Sequence, residues 1–384
     1  MSSSGGQKTS LRQFSLCCIM VACCLVLFFI YYKPDIKLPT LGIYKTCPTV
    51  ICAKTAQDQD STSNCSSEQH LNTPQSDTKK TQVAAVDAEP DTVLLIWMWP
   101  FGFKYDLSCS IFNITRCHLT DNRSLYNKSH GVLFHHRDIQ GTGLPKEPRP
   151  WFQKWVWSNM ESPANSAPIP AVDNVFNLTC NYRLDSSIPV PYGYLVRITS
   201  EDEKFKLPKK NKLVCWVVSN WKTQYKRVQY YNELKNHINI QAFGNAFGQH
   251  LSDQDYTDIV SSCKFYLSFE NSVYKDYITE KLYSPMKLGS VPIVLGPPRQ
   301  NYEDHIPPDS FIHVSDFSTP KELAERLFYL DQNHTEYMKY FNWKNRYKVQ
   351  MSWFGKEHAC KTCSYLQKNR GYQTIHGLNK WYWG

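Results

Sequence analysis

The chain has no internal repeat, which excludes a solenoid, and no GxxxxGK[ST], GxSxG or GxGxxG stretch where a strand would turn into a helix. Mechanisms that depend on those phosphate-cradling or nucleophile-presenting loops fall away. Nor is the charge arranged for nucleic acid. The net charge is +9, but the densest basic run, KFKLPKKNK from Lys204 to Lys212, follows directly on Glu201, Asp202 and Glu203 and reads as a solvated linker. No nucleic-acid partner is expected.

One stretch lacks charge altogether. FSLCCIMVACCLVLFFIYY, Phe14 to Tyr32, is nineteen residues long, and at about 1.5 Å per residue it matches a bilayer core. Tyr31, Tyr32, Lys33 and Pro34 stand where a cleaved signal peptide would carry small residues, so residues 14–32 read as an uncleaved transmembrane signal anchor. Lys8 and Arg12 precede the span without an acid, which places residues 1–13 in the cytosol and the rest in the lumen, a single-pass type II membrane protein. Residues 33–91 are rich in Thr, Ser, Gln, Asp and Lys without sustained periodicity and read as a disordered stem. Sequons at Asn64, Asn113, Asn122, Asn127, Asn177 and Asn333 all fall on the lumenal side. Of the fourteen cysteines, seven lie beyond residue 100, an odd number, so one of them stays free or pairs elsewhere. Cys47, Cys52 and Cys65 allow a stem-linked homodimer.

The 384 residues suffice for two domains, and the 14% aromatic content suits a deep core or a site that grips flat, sugar-like ligands. Strand-like runs begin at Thr92, Gly131, Phe152, Leu213, Ile238, Lys264, Ser290 and Ser310; helical patterns begin at Val228, Asp255 and Thr319. Apolar strands interleaved with helices predict parallel sheets covered on both faces. The segment Glu201–Lys212, with Pro208, divides them into two α/β halves facing a cleft.

Between two of these strands, FENSVYKDYITEKLYSPMKLGSVPIVLGP (Phe269 to Pro297) holds Asp276 as the expected N-cap of a helix opening at Tyr277. A strand, a loop and a helix N-terminus make an anion-binding device; Lys281 adds charge and Glu280 can accept ribose hydroxyls, or both face water on a solvated helix. After a second strand come Ser219, Asn220 and Arg227, the last able to meet a phosphate bidentately or to serve as an ordinary first-turn charge. Glu161, in WSNMESP, follows an aromatic strand and precedes Pro163, as a loop-held general base or a solvent-facing acid. Asp253 and Asp255, like Asp58 and Asp60, have a D-x-D spacing read as chance. Cys360 and Cys363 beside His358 could hold zinc, but a lumenal setting offers disulfides first. No metal site is expected.

The assembled residues resemble the vertebrate α1,3-fucosyltransferases, Golgi type II membrane enzymes. The resemblance rests on FYLSFENSVYKDYITEKL followed by GSVPIVLGPPRQNYEDHIPPDSFIHV, with WPF, LYNKSH, HHRD, NMESP, VPYG, LVCWVVSNW and HACKTC, and covers Val93 to Trp383. It implies a GT-B fold: an acceptor-side Rossmann-like domain (92–205), a GDP-fucose-binding one (206–345), and a C-terminal segment (346–384) returning to the first. It implies an inverting transfer of L-fucose from GDP-β-L-fucose to the 3-hydroxyl of GlcNAc in type 2 (Galβ1,4GlcNAc) chains of glycoproteins and glycolipids, forming Lewis x-type structures. Glu161 would be the general base; Arg227 and Lys281 would stabilise the GDP leaving group, and Glu280 would hold the ribose. Tyr192, Val217, Ser219, Asn220, Leu251, Tyr266, Asn271 and Tyr277 would complete the donor pocket, with Arg137 and Phe103 on the acceptor side. The implied disulfides are Cys109 with Cys360, Cys117 with Cys363, and Cys215 with Cys263, leaving Cys180 unpaired. A divalent cation would be at most stimulatory.

Two positions depart from the family. Phe103 replaces a Gln, and Pro285 replaces an Ala inside the expected helix, where its ring would clash with the Lys281 carbonyl at a cost of about 3 kcal/mol. Two other readings compete. A membrane-anchored glycan-binding protein of the same fold would not need Glu161, Arg227, Glu280 and Lys281 together. A metal-dependent transferase using Asp253 and Asp255 would lose activity to a chelator.

Overall fold

The computed structural model describes residues 91–384. The expected cytosolic tail, the expected 14–32 span and the expected stem up to residue 90, with Asn64, Asp58, Asp60, Cys47, Cys52 and Cys65, lie outside the described residues. Among the described residues no helix is long and apolar enough to cross a membrane.

Six parallel strands form the first sheet: β1 (Thr92–Ile96), β2 (Cys117–Thr120), β3 (Gly131–His135), β4 (Lys154–Asn159), β5 (Leu178–Asn181) and β6 (Ile188–Pro189), in the order β2-β1-β3-β4-β5-β6. The chain leaves it through β7 (Gly193–Arg197) and builds a second parallel sheet from β8 (Lys212–Val217), β9 (Ile240–Phe243), β10 (Cys263–Phe269), β11 (Val291–Leu295) and β12 (Ile312–His313). Their order is β12-β11-β10-β8-β9. β13 (Tyr347–Met351) then returns to pair antiparallel with β7. Every expected strand run and helical pattern forms an element.

Alternation along the strands explains why the apolar runs are continuous. Leu94, Ile96, Leu133 and Val156 face one way, onto Ala359, Cys360, Cys363 and Leu366 of the Lys356–Lys368 helix. Leu95, Phe134, Trp155 and Trp157 face the other, onto Leu378 and Tyr382 of the last helix. With both faces covered, the middle of each strand is apolar on both sides, and the buried polar residues such as Lys154, Ser158 and Asn159 fall at the strand ends. The second sheet is buried likewise: Val214, Phe265, Leu267 and Ile293 pack on Val228 and Leu234 of α1 (Lys226–Leu234) and on Leu323 and Leu327 of the Pro320–Gln332 helix. Val294 packs with Leu282 and Met286 of α2 (Glu280–Leu288).

Disulfides join Cys109 to Cys360 and Cys117 to Cys363, closing loops of 251 and 246 residues, and Cys215 within β8 to Cys263 at the start of β10. In the chain-entropy model each long closure is worth about 5 kcal/mol. Cys180 is free and fully buried in the first sheet's core, where burial pushes its thiol up to about 12. It is a packing residue, protonated and unreactive.

Two local expectations are corrected. Asp276 is not an N-cap: it sits at φ 58°, and α2 starts later, at Glu280, with Thr279 as the cap. Asp276 instead accepts hydrogen bonds from the Leu184 N–H across the sheets and from Asn301, while His305 lies 3.2 Å away, and these contacts hold it in the left-handed region. Pro285 is buried within α2, yet the helix runs on to Leu288 and the turn at Lys281 is undisturbed. The Pro285 carbonyl accepts the Ser290 N–H at 2.9 Å as the chain leaves through Gly289 at φ 84°.

Candidate functional site

The expected site residues gather at the carboxyl ends of the two sheets, where parallel strands leave backbone groups and loops free to receive a ligand. Glu161 follows β4 by two residues and is about one third exposed. Its N–H donates to Asn159 Oδ1 at 3.2 Å, and its carbonyl accepts the Tyr382 hydroxyl, which also meets the Tyr182 hydroxyl at 2.9 Å. The C-terminal Trp-Tyr-Trp thus clamps the Glu161 loop: Trp383 Nε1 reaches Ser166 O at 2.6 Å. Arg137, in the turn after β3, places its guanidinium 3.9 Å from the Glu161 carboxylate and 5.4 Å from the Phe101 ring centroid. Phe101 takes a left-handed backbone (φ 54°), sits edge-on to His135 and stacks on Phe354, an aromatic beside Arg137 that sequence reasoning missed. Phe103, 73% exposed, makes no aromatic or cationic contact among the described residues.

On the second sheet, Arg227 lies in the first turn of α1 and is 96% buried. Its side chain donates to Asn220 O and, at 3.4 Å, to Phe269 O, while its Nε–H is buried with no partner among the described residues. Burial pulls the guanidinium pKa down and the Glu270 carboxylate pulls it back up; the net shift is downward. Val217 ends β8, its carbonyl facing the buried Tyr266 hydroxyl at 3.5 Å, and Ser219 and Asn220 follow exposed. Leu251 sits half-buried on the loop ahead of the Asp253–Ser262 helix. There Asp255 closes a capping box with Ser252, a structural use for the D-x-D acid. Among the described residues no group of three or more His, Cys, Asp or Glu is placed to hold a metal ion.

α2 presents Glu280 half-exposed and Lys281 a quarter exposed. Lys281 Nζ lies 2.9 Å from Glu280 Oε1, 2.8 Å from Thr279 Oγ1 and 3.3 Å from Glu270 Oε2. Glu270 is a second residue that sequence reasoning overlooked. It is buried, and it accepts both the N–H and the hydroxyl of Thr279 at 2.8 Å. Burial pushes its carboxyl above the usual range, and Lys281 only partly offsets this. Burial alone would lower the Lys281 ammonium, but Glu270 and Glu280 outweigh it and raise its pKa. Partial desolvation of Glu280 is likewise outweighed by Lys281, which holds that carboxylate below its ordinary value.

Several contacts bring the two sets together. Tyr192 donates its hydroxyl to Met160 O and lies edge-on to the buried Tyr277 at 6.2 Å; Tyr277 meets Tyr182 at 5.3 Å. A Cβ at Gly193 would fall 2.6 Å from the Tyr283 ring, so the glycine of VPYG is what lets β7 close on α2 and carry Tyr192 to this spot. Beside Asn271, Ser272 donates to Ser162 at 2.7 Å, and Lys275 pairs with Asp185 at 3.0 Å. A carboxylate on one sheet therefore stands across from a lysine and an arginine on the other.

Residues 207–381 match the family described as "Glycosyltransferase family 10 (fucosyltransferase) C-term", and residues 89–193 match "Fucosyltransferase, N-terminal". The chain belongs to this family, the family 10 glycosyltransferases. It is 44% identical over 384 residues to 4-galactosyl-N-acetylglucosaminide 3-alpha-L-fucosyltransferase 9 of Bos taurus, covering 99% of each chain. It is 52% identical over 297 residues to the enzyme of that name from Mus musculus, covering 76% of this chain and 82% of the relative. A crystal structure of an alpha1,3-fucosyltransferase with GDP-fucose superposes with a TM-score of 0.49 at 17% identity, over 75% of this chain and 94% of that one.

Proposed function

We propose that this protein transfers L-fucose from GDP-β-L-fucose to the 3-hydroxyl of GlcNAc in Galβ1,4GlcNAc chains, with inversion, between two Rossmann-like domains of GT-B type. On this reading residues 92–205 form the acceptor side, 206–345 bind the donor, and the 346–384 segment braces the first domain. The observation that carries the reading is the placement of Glu161 on one sheet opposite the Arg227 and Lys281 cluster on the other, held across the gap by Ser162 and Ser272.

The Glu161 carboxylate takes the proton from the acceptor 3-hydroxyl, and that oxygen attacks the fucose anomeric carbon from the face opposite GDP. The bond from the anomeric carbon to the β-phosphate oxygen breaks, its electron pair leaves on GDP, and the β-linked sugar becomes α-linked. Arg227, with a buried unpartnered Nε–H, and Lys281 meet the charge that develops on the diphosphate. Both are fixed before substrate arrives, Arg227 by carbonyls and Lys281 by Glu270, so little reorganisation is needed. Glu280, half-exposed at the start of α2, receives the ribose hydroxyls. Tyr192, Val217, Ser219, Asn220, Leu251, Tyr266, Asn271 and Tyr277 line the donor, and Arg137 with Phe101 and Phe103 faces the acceptor. Positive side chains supply the leaving-group charge, so a divalent cation is at most stimulatory. The enzyme acts as a type II membrane protein of the Golgi, facing the lumen.

The test is linkage analysis of the product formed by the purified full chain from GDP-fucose and type 1 or type 2 acceptors. The reading requires α1,3-linked fucose on the type 2 GlcNAc; a product on another hydroxyl, or none from folded protein, contradicts it.

A further inference from the structure

Lys154 opens β4, seven residues before Glu161, so on the order of 20 Å of strand separates its end of the sheet from the proposed reaction site. At that far end a cleft of about 380 Å³ is lined by Lys128, His130, Trp151, Phe152, Lys154 and Arg370, together with Leu366 and Asn369. None of the lining residues is acidic. Trp151 is 91% exposed and meets Phe152 edge to face at 5.8 Å, which leaves a broad indole face open to solvent. Lys154 is 94% buried, and among the described residues its ammonium donates only to the Asn369 carbonyl and, at 2.8 Å, to Gln373 Oε1. Arg370 beside it reaches Thr92 Oγ1 at 3.0 Å. Among the described residues, two adjacent cations, one of them buried, therefore face the cleft with carbonyl and hydroxyl partners but no carboxylate. Burying a charge without a counter-charge is unfavourable, so an anion in the cleft would relieve Lys154 and would also pair with the exposed Arg370.

We propose that this cleft is a second saccharide site, taking a sugar that carries a carboxylate or sulfate. The ring's C–H face stacks on Trp151, and the anion pairs with Lys128, Lys154 and Arg370. Concavity favours one or two sugar rings over a membrane surface, since the volume falls within the range of small-ligand sites. The site would hold an acidic branch of a glycan, or of a glycosylated protein, away from the residues that react.

The experiment uses the full chain in lipid nanodiscs without GDP-fucose, so binding is read independently of turnover and a failure of the transfer mechanism does not mimic a failure here. Neu5Acα2,3Gal, 6-O-sulfogalactose and galactose serve as probes; none carries a GlcNAc to occupy the acceptor site. Saturation-transfer NMR is expected to show saturable binding of one or both acidic sugars, at least about tenfold tighter than galactose, and lost in W151A and in the K128Q/R370Q double variant. Turnover of W151A on a short neutral acceptor should stay within about twofold of wild type. Equal binding in wild type and W151A, or no preference for the acidic sugars, overturns the proposal. Quenching of Trp151 by brominated phosphatidylserine without sugar binding assigns the face to the membrane instead and also overturns it.

Discussion

Ser272 and Ser162 stand three residues beyond the ends of β10 and β4, one on each sheet, and share a hydrogen bond of 2.7 Å. Glu161 is the neighbour of one and Asn271 of the other, so this bond sets the spacing between the proposed base and the proposed donor-binding turn. Asp276 reinforces it by accepting the Leu184 N–H at 3.0 Å from the opposite half. The polar run after Phe269 has a structural task besides the ligand binding proposed for it: it docks one sheet on the other.

Glu270→Ala would leave the buried Thr279 N–H and part of the Lys281 charge uncompensated. Such losses cost about 3 kcal/mol or more. Thermal unfolding should show a clear drop in stability, and the Michaelis constant for GDP-fucose should rise, because the Lys281 turn loses its anchor. Unchanged stability and donor affinity would remove Glu270 from the account.

Asp276 gives the fold an acid-sensitive joint. Burial pushes its carboxyl up, but His305 and Asn301 outweigh burial and hold it at about 2. A carboxylate depressed in the folded state stabilises above its unfolded value, near 3.8, and that contribution is lost as pH falls through about 2. Denaturant titrations should therefore lose about 2 kcal/mol from this group between pH 5 and pH 2. Asp276→Asn should be less stable at neutral pH and flatter across that window.

Pro285→Ala restores an N–H that can donate to the Lys281 carbonyl and removes a ring from a helix interior. Weighed against the lost packing of a buried ring, a gain of about 1 kcal/mol is expected in urea unfolding. A loss would show that the ring's contacts in the α2 core outweigh the missing hydrogen bond.

Chelation separates this mechanism from a metal-dependent one. With Arg227 and Lys281 carrying the leaving-group charge, the full chain should keep substantial activity in EDTA; abolition reversed by added manganese would contradict that assignment.

What the sequence disclosed depended on how locally each feature is determined. β4 was legible because burial on both faces sets Trp155, Val156 and Trp157 side by side in the strand. β6 was not, being only Ile188 and Pro189, and neither was the β7–β13 pair, whose strands lie about 150 residues apart with no turn between them to signal a hairpin. Glu161 and Lys281 could be singled out because strand ends and helix starts have sequence signals. Glu270 could not, since its role comes from Thr279 nine residues on; its one signal was a charge directly after the apolar run KFYLSF. Tyr382 acts on Glu161 from 221 residues away, and no local pattern reports that. The Asp276 cap failed because its carboxylate is drawn to Leu184 and Asn301 instead of to the next turn.

The central claim is that Glu161 removes the acceptor proton. Turnover of Glu161→Gln on a type 2 acceptor, measured beside GDP-fucose binding to the same preparation, tests it directly. The account predicts a fall in kcat of at least about a hundredfold with donor affinity unchanged. Wild-type turnover in the folded variant would contradict it.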